Sequence, residues 1–232
     1  SATISDEIHR LAKKYMNNPQ SLDVTSSSGS LTVSQVDQEY LPVQPWDKQR
    51  LLHHLLKHEE AVMTLIFCKT KATVDRLTVF LNRKNIEAAA IHGDLAQNKR
   101  DAVMQKLRDG KLSVLIASDL ASRGIDVENI THVINYDVPE DPEIYVHRIG
   151  RTARAGRGGV AWMFVTPEQG QLLTQIETLT NVEIPIKEYP HFKPGPVPDK
   201  VAHRQKQEEK RIADVREEKN PSKLNLPDNQ QS

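Results

Sequence analysis

The run Leu112-Ser-Val-Leu-Ile-Ala-Ser118, "LSVLIAS", decides how the rest of the chain is read. From Val114 to Ala117 its residues are apolar at successive positions, not at alternate ones. A strand that shows apolar side chains to both of its faces is buried on both, as in parallel sheets covered by helices. Strict alternation would instead mark a sheet with one wet face.

Comparable apolar, β-rich runs lie on either side: "VMTLIFC" (62–68), "IEAAAIH" (86–92), "THVINY" (131–136) and "VAWMFV" (160–165). Between the earlier ones stand "TVDRLTVFLNRK" (73–84) and "NKRDAVMQKLRD" (98–109), whose apolar residues recur with helical period. Strands alternating with helices imply right-handed βαβ units. The spacing therefore predicts an α/β domain, RecA-like or Rossmann-like, from residue 33 to about 188, its parallel sheet flanked by helices on both faces. Ligands of such sheets bind outside the carboxyl ends of the strands. Chemistry is to be sought at Lys69-Thr-Lys71, His92-Gly-Asp94, Ser118-Asp119, and from Asp137 onward.

The flanks read differently. "SDEIHRLAKKYMN" (5–17) has the pattern of a helix capped by Ser5, and Asn17-Asn-Pro19 stops it. "SLDV" (21–24) is strand-like, and "TSSSGS" (25–30) has linker composition. Residues 1–24 are too few for a core of their own. Beyond 189, "YPHFKPGPVP" is extended by its prolines, and "DKVAHRQKQEEKRIADVREEK" reads as a highly charged helix. The 189–232 tail holds nine basic and seven acidic residues, the balance of a solvated helix rather than a nucleic-acid arm.

Across 232 residues, 31 basic and 31 acidic side chains cancel, which argues against a histone-like binder but leaves room for a local basic groove. One cysteine, Cys68, permits no internal disulfide, so a reducing, cytoplasmic setting is expected. No apolar run approaches the length of a membrane span, so no membrane partner is expected. The chain opens Ser-Ala-Thr without Met and is expected to be part of something longer.

Three stretches could carry chemistry. In "VLIASDLASRGID" (114–126), the end of a strand offers Ser118, Arg123 and Asp126 around Gly124. A hydroxyl can donate to phosphate and a carboxylate can bond sugar hydroxyls, although a tight turn with a surface Arg–Asp pair would look the same. In "AAIHGDLAQNKR" (89–100), Gly93 admits close approach by an anion, and Gln97 and Arg100 open a helix. An ordinary strand–helix connection is the plain alternative. "HRIGRTARAGR" (147–157) sets four arginines three residues apart with no acid among them. A helix begun at Asp141-Pro142 would align His147, Arg151 and Arg154 on one stripe and turn Arg148 and Arg157 away. Paired guanidinium forks suit phosphate oxygens.

Two things are missing. No phosphate loop of the form G-x-x-x-x-G-K-[ST] occurs, and no paired acids follow a strand to hold Mg²⁺. Phosphate-directed arginines without a phosphate cradle are the expected pattern of half a composite site.

"SAT" (1–3), "LIFCKTK" (65–71), "IHGDLAQNKR", "VLIASDLASRGID" and "HRIGRTARAGR", in that order, resemble the motif series of DEAD-box RNA helicases, ATP-dependent members of helicase superfamily 2. The resemblance implies that 1–24 is the end of a first RecA-like lobe, 25–32 a linker, and 33–188 the second lobe. It implies ATP with Mg²⁺ as cofactors, both held mainly by the first lobe of the same protein, which would lie upstream. Arg151 and Arg154 resemble arginine fingers, His147 a link between motifs, and Asp126 a ribose ligand, with Arg123 and Gly124 beside it in the cofactor-binding group and Arg123 also part of the interlobe contact. Ser1 and Thr3 resemble the coupling motif. Thr70, Lys71, Gly93, Gln97, Arg100 and Ser118 match positions that hold the RNA sugar–phosphate backbone. Ser118 stands where many members have Thr, and Ala153 where the commoner residue is Gly; on a helix a methyl group at 153 would be tolerated.

The implied function is ATP-dependent remodelling or local unwinding of RNA duplexes, with the tail a place where protein partners could attach. A non-enzymatic RNA-binding or docking module on the same fold is the alternative, and a DNA-directed helicase of the superfamily a third. His54 and His58 have zinc-pair spacing but no third ligand, so no metal site is expected. Cys68, Trp162 and Phe164 are expected in the core.

Overall fold

The structure, a computed structural model, describes residues 6–17, 35–59, 62–119, 130–153, 158–189 and 191–218. Two compact units divide the chain, Ser1–Phe192 and Lys193–Ser232.

In the first unit, helix α1 (Asp6–Tyr15) matches the expected N-terminal helix. Its expected cap Ser5, the strand-like 21–24 and the linker 25–32 lie outside the described residues. Six strands follow: β1 (Val36–Pro42), β2 (Thr64–Cys68), β3 (Ala88–Ile91), β4 (Val114–Ser118), β5 (His132–Asn135) and β6 (Gly159–Val165). They form one parallel sheet in the order β1-β6-β5-β2-β4-β3. The helices are α2 (Lys48–His58), α3 (Lys71–Arg83), α4 (Gln97–Arg108), α5 (Pro142–Ile149) and α6 (Gly170–Thr180).

Side chains alternate across a strand, and both faces of this sheet are dry. Ile66 and Cys68 of β2, with Ile116, Ile134, Trp162 and Phe164, pack under α2 and α3. Leu65 and Phe67, with Leu115, Ala117 and Val133, pack against Leu107 of α4. Ala161, Met163 and Val165 meet Tyr145 and Ile149 of α5 and Leu173 and Ile176 of α6. Each such side chain removed from water contributes about 1.5–3 kcal/mol. Cys68, Trp162 and Phe164 are thus core residues, as expected, and burial pushes the Cys68 thiol well above its ordinary range.

β1, "VDQEYLP", has no continuous apolar run and so escapes pattern reading. It is an edge strand, buried at Val36 and Gln38 on one face and at Leu41 on the other. Its free edge is partly covered by the segment after α6: Tyr40 N–H donates to Pro185 O at 2.9 Å and Lys187 N–H to Tyr40 O at 2.8 Å. That segment continues onto α2, where the Tyr189 hydroxyl donates to Glu59 at 2.5 Å and the Phe192 ring meets His54 and Arg50. The second unit, described by itself, contains one 20-residue helix, α7 (Asp199–Glu218), matching the charged helix expected there.

Candidate functional site

The carboxyl ends of β2, β4 and β3, three neighbouring strands, carry six of the expected site residues. Thr70 ends the turn after β2 and caps α3, its hydroxyl accepting from Thr73 N–H at 3.2 Å. Lys71 begins α3, and Ser118 closes β4. Gly93 follows β3, and Gln97 and Arg100 occupy the first turn of α4. A Cβ at Gly93 would meet no protein atom, so the fold itself makes no demand for glycine there. The first turns of α3 and α4 contain no acid. Asp and Glu ordinarily favour that place because the helix dipole is positive there, so these two helix starts keep their anion-attracting ends.

These groups are linked by ion pairs across the strand ends. The Lys71 ammonium pairs with Asp94 in the turn after β3. Lys69 pairs with Glu140 at 2.5 Å. Gln97 Nε2 donates to Asp101 at 2.8 Å. The partners hold the Asp94 and Glu140 carboxyls below their ordinary range and raise Lys69 and Lys71. Behind them His92, almost wholly buried, meets Asp75 of α3 at 3.1 Å.

The arginine segment departs from the helical expectation. α5 starts as expected, Asp141 capping it by accepting from Glu143 N–H at 2.9 Å with Pro142 at the first position. It ends at Ile149, before Arg151. Arg151 N–H donates to Arg148 O and Thr152 N–H to Ile149 O, a tight turn, and Ala153 has φ +53°. His147 and Arg151 therefore do not share one helix. Gly150 weakens the helix there, and the Thr152 hydroxyl, donating to Ile130 O at 2.5 Å, anchors the turn to the residue before Thr131 and β5. Position 153 is not helical either: a left-handed residue favours glycine, so the methyl group there carries strain.

α5 has thus carried the chain from the carboxyl end of β5 back to its amino end. Arg151, half-buried, lies at that far end, away from the Thr70–Ser118 group. His147 is half-buried on the last turn of α5. Arg154, Arg123, Gly124, Asp126, Ser1 and Thr3 lie outside the described residues.

Arg148, expected to point away, is the more buried of the two described arginines of the segment, its side chain 3% exposed. Helical side chains lean toward the helix N-terminus, so it reaches back to the carboxyl ends. Nε donates to Asp119 Oδ1 at 2.6 Å and Nη2 to Oδ2 at 2.9 Å. Nη1 donates to Asn135 Oδ1 at 2.9 Å and to Asp137 O at 2.8 Å, and the guanidinium lies over the Phe67 ring at 5.2 Å. Beside it, the buried Lys48 donates to Tyr136 O at 2.9 Å and Asp137 Oδ1 at 3.1 Å. Sequence reasoning missed Arg148, Asp119, Lys48 and Asp137 as a unit. The available signal was the acid directly following each of β4 and "INY", placed where a buried guanidinium needs acceptors.

Among the described residues no group of three His, Cys, Asp or Glu could hold a metal ion. His54 and His58 stack at 4.3 Å, with His58 Nδ1 against His54 O at 2.8 Å. Nor is any helix of the described residues long and apolar enough to cross a membrane.

Residues 47–156 match the helicase conserved C-terminal domain family. The chain is 44% identical over 180 residues to the DEAD-box ATP-dependent RNA helicase CshA of Bacillus cereus, covering 78% of this chain and 34% of that protein. It spans about a third of the length of the curated relatives it matches. The structure of the E. coli DEAD-box protein SrmB bound to regulator of ribonuclease activity A superposes with TM-score 0.62 at 34% identity, over 70% of this chain and 98% of that one. S. cerevisiae Dbp5 bound to RNA and ADP BeF3 does so with TM-score 0.72 at 31% identity, over 90% and 53%. The chain belongs to the DEAD-box RNA helicase family, and it carries that family's C-terminal helicase domain, with the RecA-like fold expected from the sequence.

Proposed function

We propose that this chain supplies the second lobe of an ATP-dependent RNA helicase that remodels or locally unwinds RNA, and that its two polar faces serve two ligands. In this reading residues 33–188 are the lobe, 1–24 end the first lobe, 25–32 link them, and 189–232 form a tail. The supporting observation is the separation of the faces. Thr70, Lys71, Gly93, Gln97, Arg100 and Ser118 share the carboxyl ends of three adjacent strands, whereas Arg151 sits beyond the other end of β5.

The carboxyl-end group fits an RNA backbone: hydroxyls, an amide, a lysine, an arginine and two acid-free helix starts address phosphate and sugar without reading bases. Dbp5, a relative, has been captured with RNA and ADP BeF3. On the other face, Arg151 and Arg154 would meet the transferring phosphoryl group of ATP across the lobe interface, His147 would orient the turn, and Asp126 would take the ribose. Arg123 and Gly124 would join Asp126 at the nucleotide, Arg123 also meeting the first lobe, whose coupling motif would contain Ser1 and Thr3. Arginine fingers of this kind raise phosphoryl-transfer rates by roughly 10³–10⁵.

The donors assigned to phosphate are cationic and hydroxylic, and among the described residues no group of three or more His, Cys, Asp or Glu could hold a metal ion. They therefore fit the phosphate of ATP, while Mg²⁺, which neutralises phosphate charge when bound, would be held by the first lobe. The C-terminal domain of S. cerevisiae Dbp5 has also been seen bound to Gle1, which makes partner proteins reasonable ligands for the tail and its surroundings.

ATP hydrolysis by the whole protein tests this reading. RNA-stimulated turnover should fall by at least a hundredfold in Arg151→Ala and Arg154→Ala with RNA affinity nearly kept. Full turnover in both variants would remove them from the reaction, and unstimulated turnover of the wild type would remove RNA.

A further inference from the structure

Two of the donors that face RNA in this reading, Lys71 and Gln97, and their neighbour Lys69 are already occupied by carboxylates of the same chain. Lys71 pairs with Asp94, Lys69 with Glu140 at 2.5 Å, and Gln97 Nε2 with Asp101 at 2.8 Å. The three acids come from three different segments: the turn after β3, the loop before α5, and the second turn of α4. Both ion pairs are exposed, with side-chain exposures of 62% and 60% for Lys71 and Asp94 and 62% and 72% for Lys69 and Glu140.

We propose that Asp94, with Glu140 and Asp101, stands in for RNA phosphate on the carboxyl-end face, so that the strand binds by exchanging phosphodiesters for internal carboxylates. The inference rests on the assignment of this face to RNA. A carboxylate and a phosphodiester are both oxygen anions and satisfy an ammonium or an amide N–H in the same way. Exposed pairs are held weakly because water screens them and two long side chains lose freedom, so a phosphate can replace either one. Asp94 has the strongest position. It sits beside the acid-free N-terminus of α3, where a negative charge is favoured whether it belongs to Asp94 or to RNA. The consequence is an RNA face of damped affinity, on which the strand is readily released.

Salt dependence distinguishes exchange from simple positioning. A lysine that binds phosphate in place of bulk counterion yields a slope of about −0.7 in log K against log salt for a single strand. When the lysine was neutralised by Asp94, the freed carboxylate takes up a cation and cancels that contribution. The experiment measures binding of a fluorescent ten-residue oligouridylate to the whole chain across a salt series, with thermal melts confirming the fold of each variant. Asp94→Asn should bind several-fold tighter at low salt and steepen the slope by about 0.7. Asp94→Glu should behave as wild type, and Asp94→Asn should have no effect in a Lys71→Gln background. Weaker or unchanged binding in folded Asp94→Asn overturns the exchange, since the acid would then be holding Lys71 in place or doing nothing. If Lys71→Gln, Gln97→Ala and Arg100→Ala also leave binding unchanged, or no variant binds at all, the assignment of this face to RNA falls with it.

Discussion

Arg148 grips Asp119 with two parallel hydrogen bonds, Nε to Oδ1 at 2.6 Å and Nη2 to Oδ2 at 2.9 Å. The pair joins α5 to the end of β4, one residue beyond Ser118 and three before Arg151. It therefore ties the arginine turn to the strand ends.

Arg148→Ala should destabilise the first unit by about 3 kcal/mol, because it removes a guanidinium donor from the buried Asn135 and the Asp137 carbonyl as well as from the partly exposed Asp119. Arg148→Lys should recover only part of this, since an ammonium cannot form the fork. Urea denaturation midpoints measure both. An Arg148→Ala variant as stable as wild type would show the clamp to be dispensable.

Gly159 opens β6 against the arginine turn. A Cβ there would lie 2.2 Å from Thr152 Oγ1, 2.6 Å from its Cγ2 and 2.8 Å from the Ala153 nitrogen. Gly159→Ala must displace Thr152 from Ile130 O and is expected to cost about 1–3 kcal/mol by overpacking. Because the turn carries Arg151, hydrolysis by the whole protein should fall more than RNA binding does.

Ala153 lies at φ +53° with its methyl group buried. Ala153→Gly exchanges a left-handed strain of about 1–2 kcal/mol for a comparable loss of chain entropy and packing, so its stability should stay within about 1 kcal/mol of wild type. Ala153→Val, β-branched in the same conformation, should be less stable than either. Thermal melts of the three proteins check the order.

His132 is half-buried against Trp162, ring centroids 5.0 Å apart. Burial lowers its pKa below the ordinary imidazole value; Glu59 opposes the shift, and Lys187 adds to it. The unfolded chain therefore binds the proton at a higher pH than the folded one. Stability is complete above the ordinary histidine pKa and is lost as pH falls through it toward the folded value. The melting temperature should drop between pH 7.5 and 5.5, and His132→Gln should flatten that drop. His53 and His54, also lowered by burial and neighbouring cations, supply the remainder.

The sheet was readable wherever strands are buried on both faces. "TLIFC", "VLIAS" and "WMFV" announce themselves because no polar residue interrupts them. β1 was not readable, since an edge strand needs apolar residues only at alternate sites and "VDQEYLP" supplies few. The carboxyl-end group was legible because each member directly follows a strand or opens a helix. The internal acids were not, because Asp94, Glu140 and Asp101 look like ordinary surface charges until the turns bring them onto Lys71, Lys69 and Gln97.

By itself the sequence determined the α/β alternation, the order of the motifs and the membership of a helicase family. Those rest on local periodicity and on residue types at fixed offsets. Tertiary structure decided which arginine faces inward. Helical spacing alone turned Arg148 away and aligned Arg151 with His147. The chain instead ends its helix at Ile149, and Arg148 leans back to an acid 29 residues earlier. A buried guanidinium goes where its acceptors are, and those acceptors are assembled only when β4 and β5 lie on either side of β2 in one sheet.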